Sequence, residues 1–321
     1  MENRAAAGIA FITAGIFCIS INDMLIKELS GGYPLHQMVF VRSAIGICFG
    51  LIFVQLEGGL SILRTSQPWL HAFRGLLIVA ANMTYFAALA ALPLADATAL
   101  FFVAPLFITL LSIPVLGEKV GPMRMGAVMV GFAGVVLMQR PWAGRDTLEV
   151  SRIVLLLPVA SALLYAANQI LTRKLGATTK ASALSIYIQG TFIIVAALFW
   201  LVAGDGRFAE GAENPSVVFL LRAWIWPQGS DWWYFAGLGL NAAVVGYALS
   251  AAYRLADAAT IAPFEYIGLP LAVFWGYVMF DTLPGWEVWT GMALIMGSGL
   301  FVFVRERQKS RKIARGQVKL R

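Results

Sequence analysis

The chain has 321 residues, of which 60% are hydrophobic and 13% charged, with a formal net charge of +7 and a mean hydropathy of +0.77. A soluble domain of this size could not cover so much apolar side chain with so few charges, so the composition excludes a soluble globular protein. Cys18 and Cys48 both lie in apolar runs, and two such cysteines do not imply a disulfide framework. Lipid is therefore expected to surround most of the chain.

Apolar stretches long enough to cross a bilayer recur along the sequence. A spanning helix needs roughly 20 apolar residues and satisfies its own backbone polar groups, whereas these stretches are too long and too uniformly apolar for barrel strands. We predict an all-α membrane protein with ten transmembrane helices. The predicted spans are 8–28, 35–56, 70–92, 96–116, 123–140, 153–174, 182–203, 232–254, 259–280 and 286–304.

The distribution of basic residues predicts the orientation. The first apolar run begins near Gly8, after a single Arg4, and no cleavage-site pattern follows it, so we expect a first span rather than a removed signal. An excess of lysine and arginine marks the cytoplasmic side, and residues 305–321 carry eight of them. With ten spans, both termini are then cytoplasmic. We interpret the basic tail as a topology signal that also attracts anionic lipid, with no role in binding nucleic acid.

A short motif occurs twice in the chain. Residues 94–98 (Leu-Ala-Asp-Ala-Thr) return at 255–260 as Leu-Ala-Asp-Ala-Ala-Thr, an offset of 161 residues. Asn168 follows Asn22 by only 146 residues. The long connection 204–231 accounts for the difference between the two offsets.

These offsets predict two copies of a five-helix unit. Five is an odd number, so the second copy must enter the membrane from the opposite side, which makes an inverted repeat. We assign residues 1–145 to the first repeat, 146–304 to the second and 305–321 to a basic cytoplasmic tail. The segment 217–226, inside the long connection, is expected to form a short interfacial helix with aromatic residues at headgroup depth.

Several features together resemble a known family. They are the 94–98 turn, Pro105, the sequence Leu116-Gly117-Glu118, the glycine-rich fifth span from Gly126 to Gly134, and the basic tail. In order and spacing they resemble the EamA-type, ten-helix branch of the drug/metabolite transporter superfamily. The second copy departs from this pattern, because it carries Phe280-Asp281-Thr282 where Gly-Glu would recur.

The resemblance implies a basket of ten helices around a central cavity, alternating access, and a place in the bacterial inner membrane. Members of the family move amino acids, nucleobases, vitamins, S-adenosylmethionine and other small organic solutes. Some importers of S-adenosylmethionine or riboflavin share an Asn-Asp pair with a downstream lysine in the first span, as at Asn22, Asp23 and Lys27. Import of such a solute therefore stands beside export as an alternative.

Charged residues inside the predicted spans are candidates for function, because an ionised group at mid-span costs about 2.5–3.5 kcal/mol to insert. Asp23 and Arg42 are expected at similar depth and could form an ion pair. Arg42 would then bind an anionic group of the substrate or serve only as a structural partner. Glu265 is a candidate for binding substrate or carrying a coupled proton, with helix packing as the alternative. Asp96 and Asp257 are predicted to cap helix N-termini.

Polar and aromatic residues predict the lining of the cavity. Each amide or ring could instead only pack helices together, but flat or amphiphilic solutes would suit such a lining. The candidate substrate-binding residues are Asp23, Arg42, Asn82, Tyr85, Phe102, Tyr165, Asn168, Gln169, Tyr187, Gln189, Tyr247, Glu265 and Trp275. Glycines such as Gly46, Gly134 and Gly291 are expected to allow close helix approach.

The predicted function is secondary transport of a small organic metabolite. No Gly-x-x-x-x-Gly-Lys-Ser/Thr run exists to bind ATP. An intramembrane enzyme is the remote alternative, since the histidines, His36 and His71, both lie near span ends and no catalytic motif accompanies them. We expect no cofactor and no metal ion, a small-molecule substrate, a lipid bilayer as surroundings, and a monomer or homodimer.

Overall fold

The computed structural model describes residues 2–117, 120–142, 150–175, 180–255 and 264–318. Within these ranges the regular structure is helical, with no strand. The helices are α1 Glu2–Leu29, α2 Leu35–Glu57, α3 Pro68–Leu89, α4 Leu94–Phe101, α5 Ala104–Leu116, α6 Pro122–Gln139, α7 Arg152–Leu175, α8 Ala181–Ala203, α9 Pro215–Leu221, α10 Asp231–Leu255, α11 Gly268–Phe280 and α12 Trp286–Val318, with a 3-10 turn at Leu60–Leu63.

The protein is an all-α, multi-pass membrane protein. Among the described residues, eight helical stretches are long and apolar enough to cross a membrane: α1, α2, α3, α4 with α5, α6, α7, α8 and α12. Helix α11 is apolar but shorter. Large apolar side chains remain exposed along the helices, and tryptophans are exposed near helix ends, such as Trp69 at 85%, Trp226 at 81% and Trp233 at 80%. This pattern is typical of a lipid-facing surface with interfacial aromatic residues.

The predicted fourth span is broken. Helix α4 ends at Phe101 and α5 begins at Ala104, with Pro105 in the first turn of α5. A proline has no backbone N–H to donate to the carbonyl four residues earlier, which here belongs to Phe101. The single helix predicted over 96–116 is therefore two helices in line.

The predicted cap at Asp96 is also wrong. The residue before α4 is Pro93, and no side chain accepts a hydrogen bond from the first turn. Asp96 lies inside that first turn, where its charge is favourable for the helix dipole. The second candidate cap, Asp257, lies outside the described residues, as do Glu118 and most of the second copy of the motif.

The C-terminal helix is longer than the predicted span. Residues 286–304 were expected to form the last span, but α12 continues as helix to Val318. The start of the predicted span 259–280 falls outside the described residues, and α11 begins at Gly268, two residues before Pro270.

The helices pack in a small number of extensive pairs. Helix α1 lies along α10, α3 along α7, α2 along α8, and α6 along α12. Smaller contacts join α2 to α10, α3 to α8, α5 to α7, α1 to α11, and α4 to α11. We call the end of the bundle that holds Tyr33, between α1 and α2, the Tyr33 end. The opposite end, where α2 finishes, is the Glu57 end.

Glycines bring α6 and α12 into backbone contact. A Cβ added at Gly134 would lie 2.9 Å from the carbonyl oxygen of Gly291, and one added at Gly291 would lie 3.0 Å from the carbonyl oxygen of Gly134. The predicted close approach at these two glycines is confirmed. The same helix offers a contrast at Gly126, where an added Cβ would meet nothing within 4 Å.

The long connection covers the Tyr33 end. Asn214 caps α9, because its side-chain oxygen accepts the Ser216 N–H at 2.9 Å. The helix is shorter than the predicted segment 217–226 and packs against α2 and α3, with Phe219 buried. Beyond it, the chain runs without regular structure towards Asp231, where α10 begins.

Candidate functional site

A buried polar cluster lies between α1, α2, α3 and α4. The Arg42 guanidinium donates to Asn22 Oδ1 at 3.4 Å and to Asn82 Oδ1 at 3.3 Å. Its other neighbour is the ring of Phe192 on α8, with the guanidinium carbon 5.3 Å from the ring centroid. This cation–π contact and the two amide acceptors replace water around a buried charge.

The same cluster continues through Asp23. Asn22 Nδ2 donates to Asp23 Oδ1 at 3.2 Å, and the Tyr85 hydroxyl donates to Asp23 Oδ2 at 3.2 Å. The Tyr85 oxygen also lies 3.0 Å from the hydroxyl of Thr98. We call Asn22, Asp23, Arg42, Asn82, Tyr85 and Thr98 the Arg42 cluster.

The predicted direct ion pair between Asp23 and Arg42 is wrong. Both side chains lie in the described structure, and their recorded partners are amides and hydroxyls. Asn22 stands between them, accepting from the arginine and donating to the carboxylate. The two charges still act on each other through space. An amide relay of this kind leaves donor and acceptor atoms that a solute could take over.

A second group of polar and aromatic residues surrounds Tyr165. Gln169 Nε2 donates to the Tyr165 hydroxyl at 2.7 Å, one turn away on α7. The charge of Glu265 acts on both Tyr165 and Tyr266. The Tyr266 ring in turn lies against Phe102, with centroids 5.7 Å apart. We call Phe102, Tyr165, Gln169, Glu265 and Tyr266 the Tyr165 cluster.

An aromatic residue at the end of α4 joins the two clusters. The Phe101 ring lies 5.3 Å from the Tyr85 ring and 5.4 Å from the Tyr165 ring, measured between centroids. The break between α4 and α5 follows immediately, and the next residue, Phe102, contacts Tyr266 of the Tyr165 cluster. Eight predicted residues thus fall into two adjoining clusters. They are Asp23, Arg42, Asn82 and Tyr85 in the first and Phe102, Tyr165, Gln169 and Glu265 in the second.

Other predicted site residues lie elsewhere. Tyr187 donates to the carbonyl of Leu63 at 2.8 Å and packs on His71, at the Glu57 end. Trp275 donates to Ser20 Oγ at 3.1 Å, which ties α11 to α1. Helix packing explains both residues.

The three remaining predicted site residues, Asn168, Gln189 and Tyr247, are not among the members of the two clusters. Asn168 is buried within α7. Gln189 lines a cavity at the Glu57 end. The side chain of Tyr247 lies outside the described part of the structure.

The sequence reasoning missed several members of the site. Thr98 belongs to the repeated motif, in which only Asp96 was predicted to have a role. Phe101 and Phe192 carried no signal beyond their apolar character. Lys27 was noted only as part of a pattern, and its ammonium donates to the carbonyl oxygens of Leu89 and Leu92 at 2.9 and 2.6 Å. A cation at the last carbonyls of α3 stabilises that helix end.

The chemistry of the site is that of binding. Over the described residues, no group of three histidine, cysteine, aspartate or glutamate side chains is placed to hold a metal ion. Amides, phenols, a guanidinium and two carboxylates lie close to aromatic rings in these two clusters. Such a lining fixes the orientation of a solute by hydrogen bonds while aromatic surface supplies contact area.

Comparison with known proteins identifies the family. The model of the EamA-like transporter family matches residues 6–140. A protein named riboflavin transporter from Rhizobium johnstonii is 32% identical over 308 residues, covering 96% of this chain and 92% of that protein. The chain belongs to the EamA-like transporter family. It is thus an EamA-type transporter of the drug/metabolite transporter superfamily, as the sequence resemblance predicted, and a transporter of small metabolites.

Other relatives of this EamA-like transporter are named for riboflavin, for S-adenosylmethionine or, for a pseudopaline exporter from Pseudomonas aeruginosa that is 26% identical, for a third solute. A riboflavin transporter from Vibrio cholerae is 29% identical and covers 94% of this chain and 94% of its own length. An S-adenosylmethionine uptake transporter from Rickettsia prowazekii is 26% identical, again covering 94% of each chain. A solved crystal structure at 21% identity has the same fold, with a TM-score of 0.63 over 94% of this chain and 98% of its own.

Proposed function

We propose that this EamA-like transporter is a secondary active importer of a riboflavin-like solute, working by alternating access. The observation that carries the proposal is the Arg42 cluster, a hydrogen-bonded polar group buried among apolar helices and adjoined by aromatic rings. Buried polar groups inside a membrane protein are costly and mark solute pathways by default. Three relatives are named riboflavin transporters, and the proposed class of solute comes from them.

The proposed architecture is ten helices in two inverted five-helix repeats around a central cavity. Residues 1–145 and 146–304 form the repeats, 305–321 is the cytoplasmic tail, and α10 and the segment containing α11 are the two further spans. The packing pattern supports this. Exchanging each span with the one five places later turns the α1–α10 contact into α7–α3, and α2–α10 into α8–α3. The α2–α8 and α6–α12 contacts map onto themselves.

The proposed location is the bacterial inner membrane, with both termini in the cytoplasm. The Glu57 end is then the cytoplasmic end. Basic residues in the connections on that side and in the tail support this orientation, including Arg64, Arg124, Lys180 and Arg254. The chain acts as a transporter and not as an enzyme, and as a monomer or homodimer.

The proposed binding residues are the members of the two clusters that the sequence predicted, together with Gln189. They are Asp23, Arg42, Asn82, Tyr85, Phe102, Tyr165, Gln169, Glu265 and Gln189. Glu265 is also the proposed carrier of a coupled proton. A carboxylate beside phenols and aromatic rings can bind and release a proton during the transport cycle.

Uptake of S-adenosylmethionine is the second candidate. Relatives from Rickettsia carry that name. Asp23 and Glu265 favour it, because two carboxylates near the site would attract a cationic solute. Riboflavin is uncharged, so the two candidates differ in the charge that the site must accept.

Transport into liposomes tests the proposal. Purified protein is reconstituted, and uptake of radiolabelled riboflavin and of radiolabelled S-adenosylmethionine is followed, with empty liposomes as the control. The proposal predicts accumulation of riboflavin above the control, with competition by unlabelled riboflavin. Accumulation of S-adenosylmethionine alone would instead support the second candidate, and no flux of either solute would contradict both.

A further inference from the structure

A cavity of about 300 Å³ lies at the Glu57 end, between α1, α2, α8 and α10. The rings of Phe11 and Phe53 contribute to its wall, and glycines on α2 and α10 form flat, side-chain-free surfaces. Polar groups enter from α8, where Ser185 and Gln189 face the space. The cavity therefore combines aromatic walls with a few hydrogen-bonding groups, which is typical of a small-molecule site.

Small residues keep this cavity open. Under the proposed repeat, Gln189 is equivalent to Arg42, and the 161-residue offset of the second motif makes Ala243 equivalent to Asn82 and Gly246 to Tyr85. In the first repeat the three counterpart side chains meet in the Arg42 cluster. In the second repeat the equivalent positions carry an amide, a methyl group and a hydrogen atom, so less side-chain volume enters the cavity from α8 and α10.

One atom in the cavity lacks a partner that a solute could provide. The side-chain carbonyl oxygen of Gln189 is buried and accepts no hydrogen bond in the described structure. A buried acceptor without a donor is unfavourable, so a ligand N–H at this position would bind well. One turn further along α8, Phe192 contacts Arg42. The inner part of the cavity therefore adjoins the Arg42 cluster.

The charge of the lining restricts the ligand. Of the cavity-lining residues in the described part of the chain, Glu57 carries a charge, and its carboxylate accepts from Ser182 Oγ at 2.8 Å. A negatively charged group near this carboxylate would be repelled in a poorly solvated space. Flat aromatic walls and a single buried acceptor suit an uncharged ring with an N–H on its edge.

We infer that this cavity holds the transported solute on the Glu57 side, as an uncharged planar heteroaromatic compound whose ring-edge N–H donates to Gln189 Oε1. The inference rests on the proposed function and assigns its solute a second position in the transport path. It also assigns a selectivity, because a phosphorylated form of the same ring is excluded by charge. Gln189 reads the ring edge, and Phe11 and Phe53 contact the ring.

Filling the cavity tests the inference. A Cβ at Gly246 would meet Ser185 Oγ at 3.4 Å, an ordinary contact, so Gly246→Leu extends into the cavity. Gly190→Leu is the matched control, because a Cβ there meets nothing within 4 Å and Gly190 does not line the cavity. Binding is measured by quenching of riboflavin fluorescence on titration with each protein in nanodiscs.

We expect Gly246→Leu and Gln189→Leu each to weaken riboflavin binding by about tenfold or more, as for loss of a buried hydrogen bond or of contact area. Gly190→Leu should bind as the unmodified protein does. Flavin mononucleotide should bind the unmodified protein about tenfold more weakly than riboflavin, because of its phosphate. Wild-type affinity in both cavity variants would overturn the inference and leave the proposed function standing, as would equal affinity for the two flavins.

A second measurement covers variants that do not fold. Ser185→Cys is made in a chain with Cys18→Ala and Cys48→Ala, and its reaction with a maleimide is timed with and without riboflavin. Protection by riboflavin supports the inference, and an unchanged rate overturns it. Failure of the unmodified protein to bind riboflavin at all would instead reject the proposed function, and the inference with it.

Discussion

The two ends of the bundle are built differently. At the Tyr33 end, side chains of the α1–α2 turn and the start of α2 bind the backbone of the long connection. Gln37 both donates to the carbonyl of Ile225 at 2.6 Å and accepts its N–H at 3.3 Å, and His36 Nδ1 lies 3.0 Å from the carbonyl oxygen of Leu220. At the Glu57 end, glycines and alanines leave a cavity between four helices.

The difference shows how one sequence can close one side and leave the other accessible. The Tyr33 hydroxyl donates to Asp231 at 2.6 Å and accepts the Gln228 N–H at 3.1 Å, so the closing contacts come from a few side chains. Each such hydrogen bond contributes only about 0.5–1.5 kcal/mol net. In the proposed alternating access, a closure held by a few such bonds is the part that opens.

The largest expected effect separates the two halves by their carboxylates. Glu265→Gln should abolish accumulation driven by a pH gradient and leave exchange of riboflavin across the membrane intact, because the amide cannot carry a proton. Glu28→Gln, an exposed carboxylate near the Tyr33 end of α1, should retain gradient-driven uptake. Both variants are compared in proteoliposomes with and without an imposed gradient. Gradient-driven uptake by Glu265→Gln would remove this residue from coupling.

The next effect concerns the Arg42 cluster. Arg42→Leu should lower the initial rate of uptake by about tenfold or more, because Asn22 and Asn82 lose a charged donor. Arg42→Lys keeps the charge but loses the planar fork, and an intermediate rate is expected. Unchanged uptake by folded Arg42→Leu would show that the cluster is structural.

A smaller effect concerns the close packing of α6 against α12. Gly134→Ala should lower the free energy of unfolding by about 1–3 kcal/mol, since its Cβ would press on the backbone of Gly291. Gly126→Ala, on the same helix in open space, should be neutral or stabilising by up to about 1 kcal/mol. Thermal denaturation of the two variants in one detergent gives the comparison. Equal stability would contradict close backbone packing.

The smallest effect is local to the Tyr33 end. Gln37→Leu removes both bonds to Ile225, and exchange of the Ile225 amide hydrogen should accelerate about tenfold. Gln55→Leu serves as the control, because Gln55 is an exposed residue near the Glu57 end of the same helix. Hydrogen–deuterium exchange with mass spectrometry measures both. Unaltered exchange at Ile225 would mean that other contacts hold the connection in place.

Features that depend on neighbours along the chain were predictable from the sequence. The predicted spans 35–56 and 182–203, which follow from apolar length, agree within one residue with α2 and α8. Gly134 and Gly291 were predicted as contact points. Features that depend on three-dimensional partners were not. Whether Arg42 meets Asp23 directly or through Asn22 is decided by rotation of α1 by a fraction of a turn, which apolar periodicity does not fix.

The contacts of individual aromatic side chains could not be predicted from the sequence either. Tyr187 and Trp275 are residue types expected in a cavity lining. Their side chains instead donate hydrogen bonds to the Leu63 carbonyl and to Ser20 Oγ. Phe101 contacts Tyr85 and Tyr165, and Phe102 contacts Tyr266. Pro105 signals the nearby helix break without giving the direction of either ring.

Maleimide labelling at one position near each end tests directly whether the Glu57 end is accessible while the Tyr33 end is closed. Ser185 lines the cavity, and Met38, 147 residues earlier, is fully buried near the Tyr33 end. Single cysteines at these positions, in a chain with Cys18→Ala and Cys48→Ala, are labelled by a maleimide with and without riboflavin. We expect fast labelling at Ser185→Cys and slow labelling at Met38→Cys. Added riboflavin should slow the first reaction and accelerate the second. Equal labelling at both positions, or changes in the same direction, would contradict this difference between the two ends.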